Sequence, residues 1–350
     1  SSLSLSFAAV AGEMSITGSA KASYKIGGAD DSSDKGIGIS NELQAKASGE
    51  LDNGFTWSYQ MELDPADGGA ISNDDSQLVI GMGDMGTLGI FDSEGGLSKE
   101  LGYGIGALGT GTDYAGTMTV QYGLDVSNSP NVQYHTPADM LPLGIAAKVG
   151  FAPNTTDGQG NDFKNDGGVN PHSLAGAQLL HYQVTAAPIS GLSIGADYAE
   201  GDDTTAGIKQ DPSSGNYYLQ YAFGNFKVGY TKGELEPAKT TDKYDTNTAD
   251  TATALGGDQY ESDGLGIEFA VNDQLSISYS SEDFTRTHKT MAATASTNTR
   301  NSVTSEQRTI MAAYNIGGAT LGVSLIDTEN SDYTADREEA KTVFSLALAF

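Results

Sequence analysis

Thr342-Val343-Phe344-Ser345-Leu346-Ala347-Leu348-Ala349-Phe350 alternates without a break. Phe344, Leu346, Leu348 and Phe350 fall on one parity, and Val343, Ser345, Ala347 and Ala349 on the other. Successive side chains of a strand point to opposite faces, so this period of two reads as a β-strand with one bulky apolar face and one smaller face. The same rhythm recurs upstream. Phe55, Trp57, Tyr59, Met61 and Leu63 alternate with Thr56, Ser58, Gln60 and Glu62. Tyr217, Leu219, Tyr221 and Phe223 form another apolar parity, as do Phe226, Val228 and Tyr230, and Leu275, Ile277 and Tyr279. Helical periodicity is nearly absent.

Two kinds of connection take turns between these segments. Tight ones occur at Asp52-Asn53-Gly54, Gly83-Asp84-Met85-Gly86, Pro188-Ile189-Ser190-Gly191, Gly224-Asn225, Asn272-Asp273-Gln274 and Gly317-Gly318, which carry the residues that turn conformations need. Longer polar connections alternate with them. This pattern describes a meander whose two rims face different compartments. The expected strands are 13–26, 36–51, 55–63, 71–82, 86–93, 131–138, 143–152, 173–187, 192–200, 214–223, 226–235, 258–271, 275–286, 302–316, 319–327 and 338–350. About 16 strands, an even number, suit an all-β, closed antiparallel β-barrel with both termini on the short-turn side.

A barrel this wide cannot fill its centre with side chains, so the polar parity faces a wet lumen and the apolar parity faces lipid. Tyr24, Trp57, Tyr59, Phe151, Tyr198, Tyr230, Tyr279 and Phe350 lie toward strand ends, where an interfacial aromatic girdle belongs. The fold class is therefore a transmembrane barrel.

Composition removes most other functions. The 350 residues carry 18 basic against 46 acidic groups, a formal net charge of −28, which argues against a nucleic-acid partner. With no Cys and four scattered His, neither a thiolate nucleophile nor a Cys- or His-rich metal centre is expected. No run approaches the ~18 apolar residues of a membrane-spanning helix. No Gly-x-Ser-x-Gly elbow and no strand–glycine turn–helix with Lys is present, so no enzyme is expected.

With this rhythm and the terminal strand ending in Phe350, the chain resembles a Gram-negative general porin, nearest to the acidic, Gly-, Ala- and Asp-rich alphaproteobacterial kind. The terminal strand resembles the signal read by the outer-membrane insertion machinery. The resemblance covers residues 13–350 as one barrel domain and implies an outer-membrane location with periplasmic termini. It also implies passive diffusion of small hydrophilic solutes and ions, a homotrimer, contact with lipopolysaccharide, and a long third loop folded into the lumen. The Pro-Glu-Phe-Gly motif of some enterobacterial third loops is absent. Residues 1–12 read either as a signal-peptide tail, from Ala9-Val10-Ala11, or as an accessory strand, from the alternating Leu3, Leu5 and Phe7.

The connection from Glu94 to Pro130 is the longest, and by the resemblance it is the pore constriction. Its charges are Glu94, Lys99, Glu100, Asp113 and Asp125. Wall residues on the lumen parity are Lys21, Glu42, Lys46, Gln60, Glu62, Lys148 and Lys227, with His135 and His181 on the same parity. With only four Arg in the chain, no strong basic ladder can form, so a weakly to moderately cation-preferring pore is expected. No cofactor is expected. The acidic runs Asp30-Asp31-Ser32-Ser33-Asp34 and Gly201-Asp202-Asp203 offer hard oxygen ligands for Ca²⁺ at external loops, without EF-hand spacing. The competing reading is a secreted Asp/Gly-rich, calcium-dependent β-solenoid or adhesin. It requires a self-similar repeat, and the chain contains none.

Overall fold

The structure is a computed structural model that describes residues 12–29, 34–65, 71–112, 123–137, 139–155, 178–202, 211–237, 259–291 and 298–350. The expectations for residues 1–11, Asp30 to Ser33, Asp113 and Asp203 lie outside them. Sixteen strands appear among the described residues. They are β1 (Glu13–Ala29), β2 (Lys35–Glu50), β3 (Thr56–Pro65), β4 (Ile71–Gly81), β5 (Thr87–Asp92), β6 (Asn131–His135), β7 (Ala146–Ala152) and β8 (Gln178–Ala186). The second half comprises β9 (Leu192–Asp202), β10 (Ser213–Phe223), β11 (Phe226–Glu236), β12 (Gln259–Ala270), β13 (Leu275–Met291), β14 (Asn298–Ile316), β15 (Ala319–Glu329) and β16 (Glu339–Ala349). Each pairs antiparallel with its sequence neighbours, and β1 pairs with β16 to close the ring. Closure leaves no sheet edge for lipid to meet.

The seam is tight at one end. Gly18 N–H donates to Phe350 O at 2.7 Å, and Phe350 N–H donates back to Gly18 O at 2.9 Å. A methyl group on Gly18 would sit 2.6 Å from the Phe350 ring, so only glycine lets that ring lie flat on β1. At the same rim, beside the seam, Gly317 and Gly318 between β14 and β15 both take positive φ (48° and 95°), the backbone a two-residue hairpin turn requires.

The two parities separate as expected. Large apolar side chains stay exposed on the outer face, among them Tyr59, Tyr198, Leu219, Tyr230, Ile267, Tyr279, Ile310, Leu325 and Phe344. On the inner face the buried residues are mostly small and polar: Ser262, Ser278, Ser280, Thr231, Gln183, Asn216, Gln307 and Thr309. An outer surface this apolar belongs in hydrocarbon, not in water.

Several boundaries differ from expectation: β1 runs on to Ala29 rather than 26, and β6 ends at His135 rather than 138. The strand expected at 143–152 starts at Ala146, because Pro142–Gly144 forms a 3₁₀ turn in which Leu143 has φ +61°. β13 and β14 run on to Met291 and Asn298, past the expected 286 and 302. Their ladder continues through Thr287↔Ser302 to Met291↔Asn298, with the Thr287 and Ser302 hydroxyls 3.0 Å apart. The sequence Thr287-His288-Lys289-Thr290 does not alternate in polarity, yet the backbone pairs through it.

Candidate pore constriction

Register places the expected wall residues on one surface. Residues opposite each other in a ladder share a face. Lys21 faces Ser40, Glu42 faces Ser19, Lys46 faces Ser15 and Gln60, and Glu62 faces Gln44. The Gln44 amide donates to Glu62 Oε2 at 3.3 Å. These five expected residues therefore occupy one arc, β1 to β3. No described residue of that arc is buried. Lys148 lies elsewhere, opposite His135 and Gln183. Lys227 lies further round on β11, 3.4 Å from Glu268 and 3.3 Å from Gly104 O.

The β5–β6 connection lies against the inner parity of the other arc, from β7 to β15. Near its start, the Lys99 N–H donates to Asp197 Oδ1 at 2.6 Å, and the Gln183 amide donates to Leu97 O at 2.8 Å. Midway, Thr231 Oγ1 donates to Glu100 O at 2.6 Å, and the Gln220 amide donates to Tyr103 O at 2.8 Å. Ala107 N–H then donates to Ser278 Oγ at 2.7 Å. Further along, Tyr103 Oη and Thr112 both bond to the fully buried Glu282, Thr112 N–H at 2.8 Å, and the Gln307 amide reaches Glu282 at 3.3 Å. Each bond satisfies a polar group that burial would otherwise leave unpaired.

Small residues on the wall make room for this contact. A methyl group on Gly266 would sit 2.4 Å from Ile105 Cγ2, and one on Gly229 would sit 2.8 Å from Ile105 Cγ1 and Tyr103 O. Gly150 seats Leu97 and Val126, and Gly322 seats Leu108. Tyr103 and Ile105 are fully buried as a result. The close approach thus depends on glycines of the wall as well as on Gly102 and Gly111 of the connection.

The expected constriction acids take different positions. Asp125 ties the two legs of the connection together, accepting from Leu97 N–H at 3.0 Å, Ser98 N–H at 2.7 Å and Ser127 N–H at 3.1 Å. Burial pushes its carboxyl upward, but His181 and the Leu97 and Ser98 amides outweigh this and hold it below the ordinary Asp range. His181 is fully buried, 3.6 Å from Asp125 Oδ1 on one side and 3.6 Å from Asp197 Oδ2 on the other. Glu100 is turned into the wall. Burial pushes its carboxyl up to about 8, against the pull of the Gly123 N–H and the Ser262 hydroxyl, with Asp197 adding to the rise. Glu94 joins Glu62 and Asp75, one carboxylate oxygen of each lying within 4.8 Å of the others. These half-buried hard-oxygen donors are where a cation would be drawn.

Asp197, Glu282, His181 and the wall glycines were not singled out as constriction residues from sequence. Only their inward parity was legible. Asp125-Val126-Ser127, an Asp accepting from the amide two residues on, carried a local signal for a structural acid.

The closed sixteen-strand wall has counterparts. Residues 2–288 match the family described as Gram-negative porin. The chain belongs to that family. It is an outer-membrane porin, and the solenoid or adhesin reading finds no support. A comparison with curated proteins returns no match. Among solved structures, a porin refined at 1.8 Å resolution aligns over 97% of this porin and 100% of its own chain, with TM-score 0.64 and 14% identity. An anion-selective porin from Comamonas acidovorans aligns over 97% and 99%, with TM-score 0.64 and 16% identity. OmpF of Salmonella typhi, in a complex with daunomycin, aligns over 97% and 98%, with TM-score 0.64 and 13% identity. At these identities the likeness concerns the fold.

Proposed function

We propose that this porin is a passive-diffusion channel for small hydrophilic solutes and ions, with a weak preference for cations. One observation carries the reading: the β5–β6 connection covers the inner face of β7 to β15, while β1 to β3 stay unburied and carry long polar side chains. The passage runs between the connection and the bare arc. The Glu62, Asp75 and Glu94 carboxylates gather at the edge of that bare arc, on the same wall as Lys21 and Lys46. Acidic side chains gathered beside the passage favour cations, and the two lysines temper that preference. In planar bilayers the purified protein should give stepwise conductance, and a salt gradient should give a reversal potential of modest cation-preferring sign. A potential of anion-preferring sign would refute the preference.

The long connections face outward from the cell, and the short turns and termini face the periplasm. The assembly is a homotrimer joined through β1 and β2. The outer parity of β1 from Met14 to Ile26 and of β2 from Ile37 to Gly49 is uncharged, with Gly18, Ala20 and Ala22 in its middle and Ile37 86% exposed. Small residues let neighbouring walls pack closely, whereas lipid gains little from them. By contrast, the apolar outer parity of β11 stops at Tyr230, where Lys232 pairs with Asp263 at 3.3 Å. Further round, on β13 and β14, Arg308 pairs with Asp283 at 2.7 Å and Glu306 at 2.9 Å. This charged step is the level at which the wall meets lipopolysaccharide head groups.

A further inference from the structure

The β15–β16 connection turns back into the barrel. Ser305 Oγ on β14 donates to Asn330 O at 2.6 Å and accepts from Tyr333 N–H at 3.0 Å, while the Asn330 amide donates to Thr304 O at 2.9 Å. These bonds carry the turn inward past β14 and lay the Tyr333 ring on the inner parity of β11 to β13. There it packs with Leu235, Tyr260 and Phe284, edge-on to Tyr260 with centroids 5.7 Å apart. The Arg286 guanidinium lies over the same ring, 5.6 Å from its centroid.

We propose that this tuck is a second barrier of the channel, set toward the long-connection rim, and that Tyr333 fixes its bore. The inference rests on the porin reading and adds a specificity-determining residue to it. Three large apolar side chains on the inner parity would be exposed to lumen water if nothing covered them, yet Leu235, Tyr260, Phe284 and Tyr333 are each no more than 3% exposed. The backbone is held away from its usual basin to achieve this. Asn330, Asp332, Tyr333 and Asp336 have φ of 51°, 54°, 55° and 61°. A bulky residue stays at positive φ only where its surroundings over-determine it.

Leu124, from the far leg of the β5–β6 connection, packs against the same cluster. The tuck therefore braces the constriction as well as crowding the space before it. Its two basic groups are held in a chain, Arg337 with Asp332 and Glu339, and Glu339 with Lys341 at 2.7 Å, while Asp336 and Glu338 are exposed. Held by a buried apolar cluster rather than by a charged ring, this barrier sorts by size.

The test uses Tyr333→Ala and a separate variant lacking residues 331–336. Both are checked for folding by heat-modifiable gel migration, then measured for single-channel conductance and for liposome swelling with a series of sugars. Both variants should conduct about 1.5-fold more than the parent and admit larger sugars, with the sign of ion preference unchanged. If Tyr333→Ala fails to fold, the deletion variant decides. Folded variants with the parent's conductance and size cut-off overturn the proposal alone. An altered ion preference with an unaltered cut-off overturns the size mechanism. A parent protein silent in bilayers overturns the channel reading and this inference with it.

Discussion

The arc of β1 to β3 and the arc of β7 to β15 obey the same alternation, yet only one receives a covering segment. Their inner parities differ in side-chain length. The first presents Lys21, Glu42, Gln44, Lys46, Gln60 and Glu62, long chains that keep their heads in water. The second presents Gly150, Gly229, Gly266, Ser278 and Gly322, which leave the backbone bare enough for Tyr103, Ile105 and Leu108 to settle on it. Polarity separates inside from outside in this barrel, and bulk separates the open half from the covered half.

Glu282→Ala should disturb the comparison most. It strips the acceptor from Tyr103 Oη and from Thr112, leaving buried donors unpaired at a cost of about 3 kcal/mol. The connection should then detach, read as larger, noisier conductance and new protease cleavage within 99–112. Gly266→Leu attacks the same seat by overpacking and should have a similar but smaller effect, about 1–3 kcal/mol. On the other arc, Ile37→Asp places a charge on the surface assigned to the trimer. Native gels should show trimer giving way to monomer, with barrel closure retained.

Charge changes come next in size. Lys21→Glu combined with Lys46→Glu should leave folding intact and move the reversal potential further toward cations. An unmoved potential would place the passage away from this arc. For Glu100 the carboxyl sits at about 8 in the folded state against an ordinary 4.5. The folded protein therefore holds a proton that the unfolded chain releases. This contribution to stability is complete below pH 4.5 and is lost as pH rises through 8. Conductance noise should grow between pH 7 and 9, and Glu100→Gln should flatten that dependence. The smallest effect belongs to the outer wall, where Arg308→Ala breaks two half-exposed ion pairs and should cost no more than about 1 kcal/mol in urea unfolding.

The fold was legible because its determinant is periodic. Alternation in Phe344 to Phe350 or Leu275 to Tyr279 fixes strand, face and environment together. It blurred where the sequence stops alternating, as in Thr287-His288-Lys289-Thr290 and Gly27-Gly28-Ala29, and where Pro142 started a turn. The site was legible only by arc. Parity put Lys21, Glu42, Lys46, Gln60 and Glu62 on one surface, but it carries no information about which loop carboxylate meets water. Asp125 and Glu94 look alike in the chain, yet one caps its own backbone amides and the other stands beside Glu62 and Asp75. Tyr333 was equally hidden. It sits in a short polar stretch, and its partners Leu235, Tyr260 and Phe284 come from three other strands.

The Gly18–Phe350 seam joins segments from opposite extremes of the barrel's strand order. Chain-closure entropy must be met before any of those bonds forms, so this is the slowest contact in the molecule to find. Every partly assembled form carries two bare edges, one on β1 and one on whichever strand was added last, each able to recruit a stranger's strand. Such a ribbon has no useful half-way state. Escort during delivery to the membrane is thus a requirement set by topology, independent of how well any single hairpin folds.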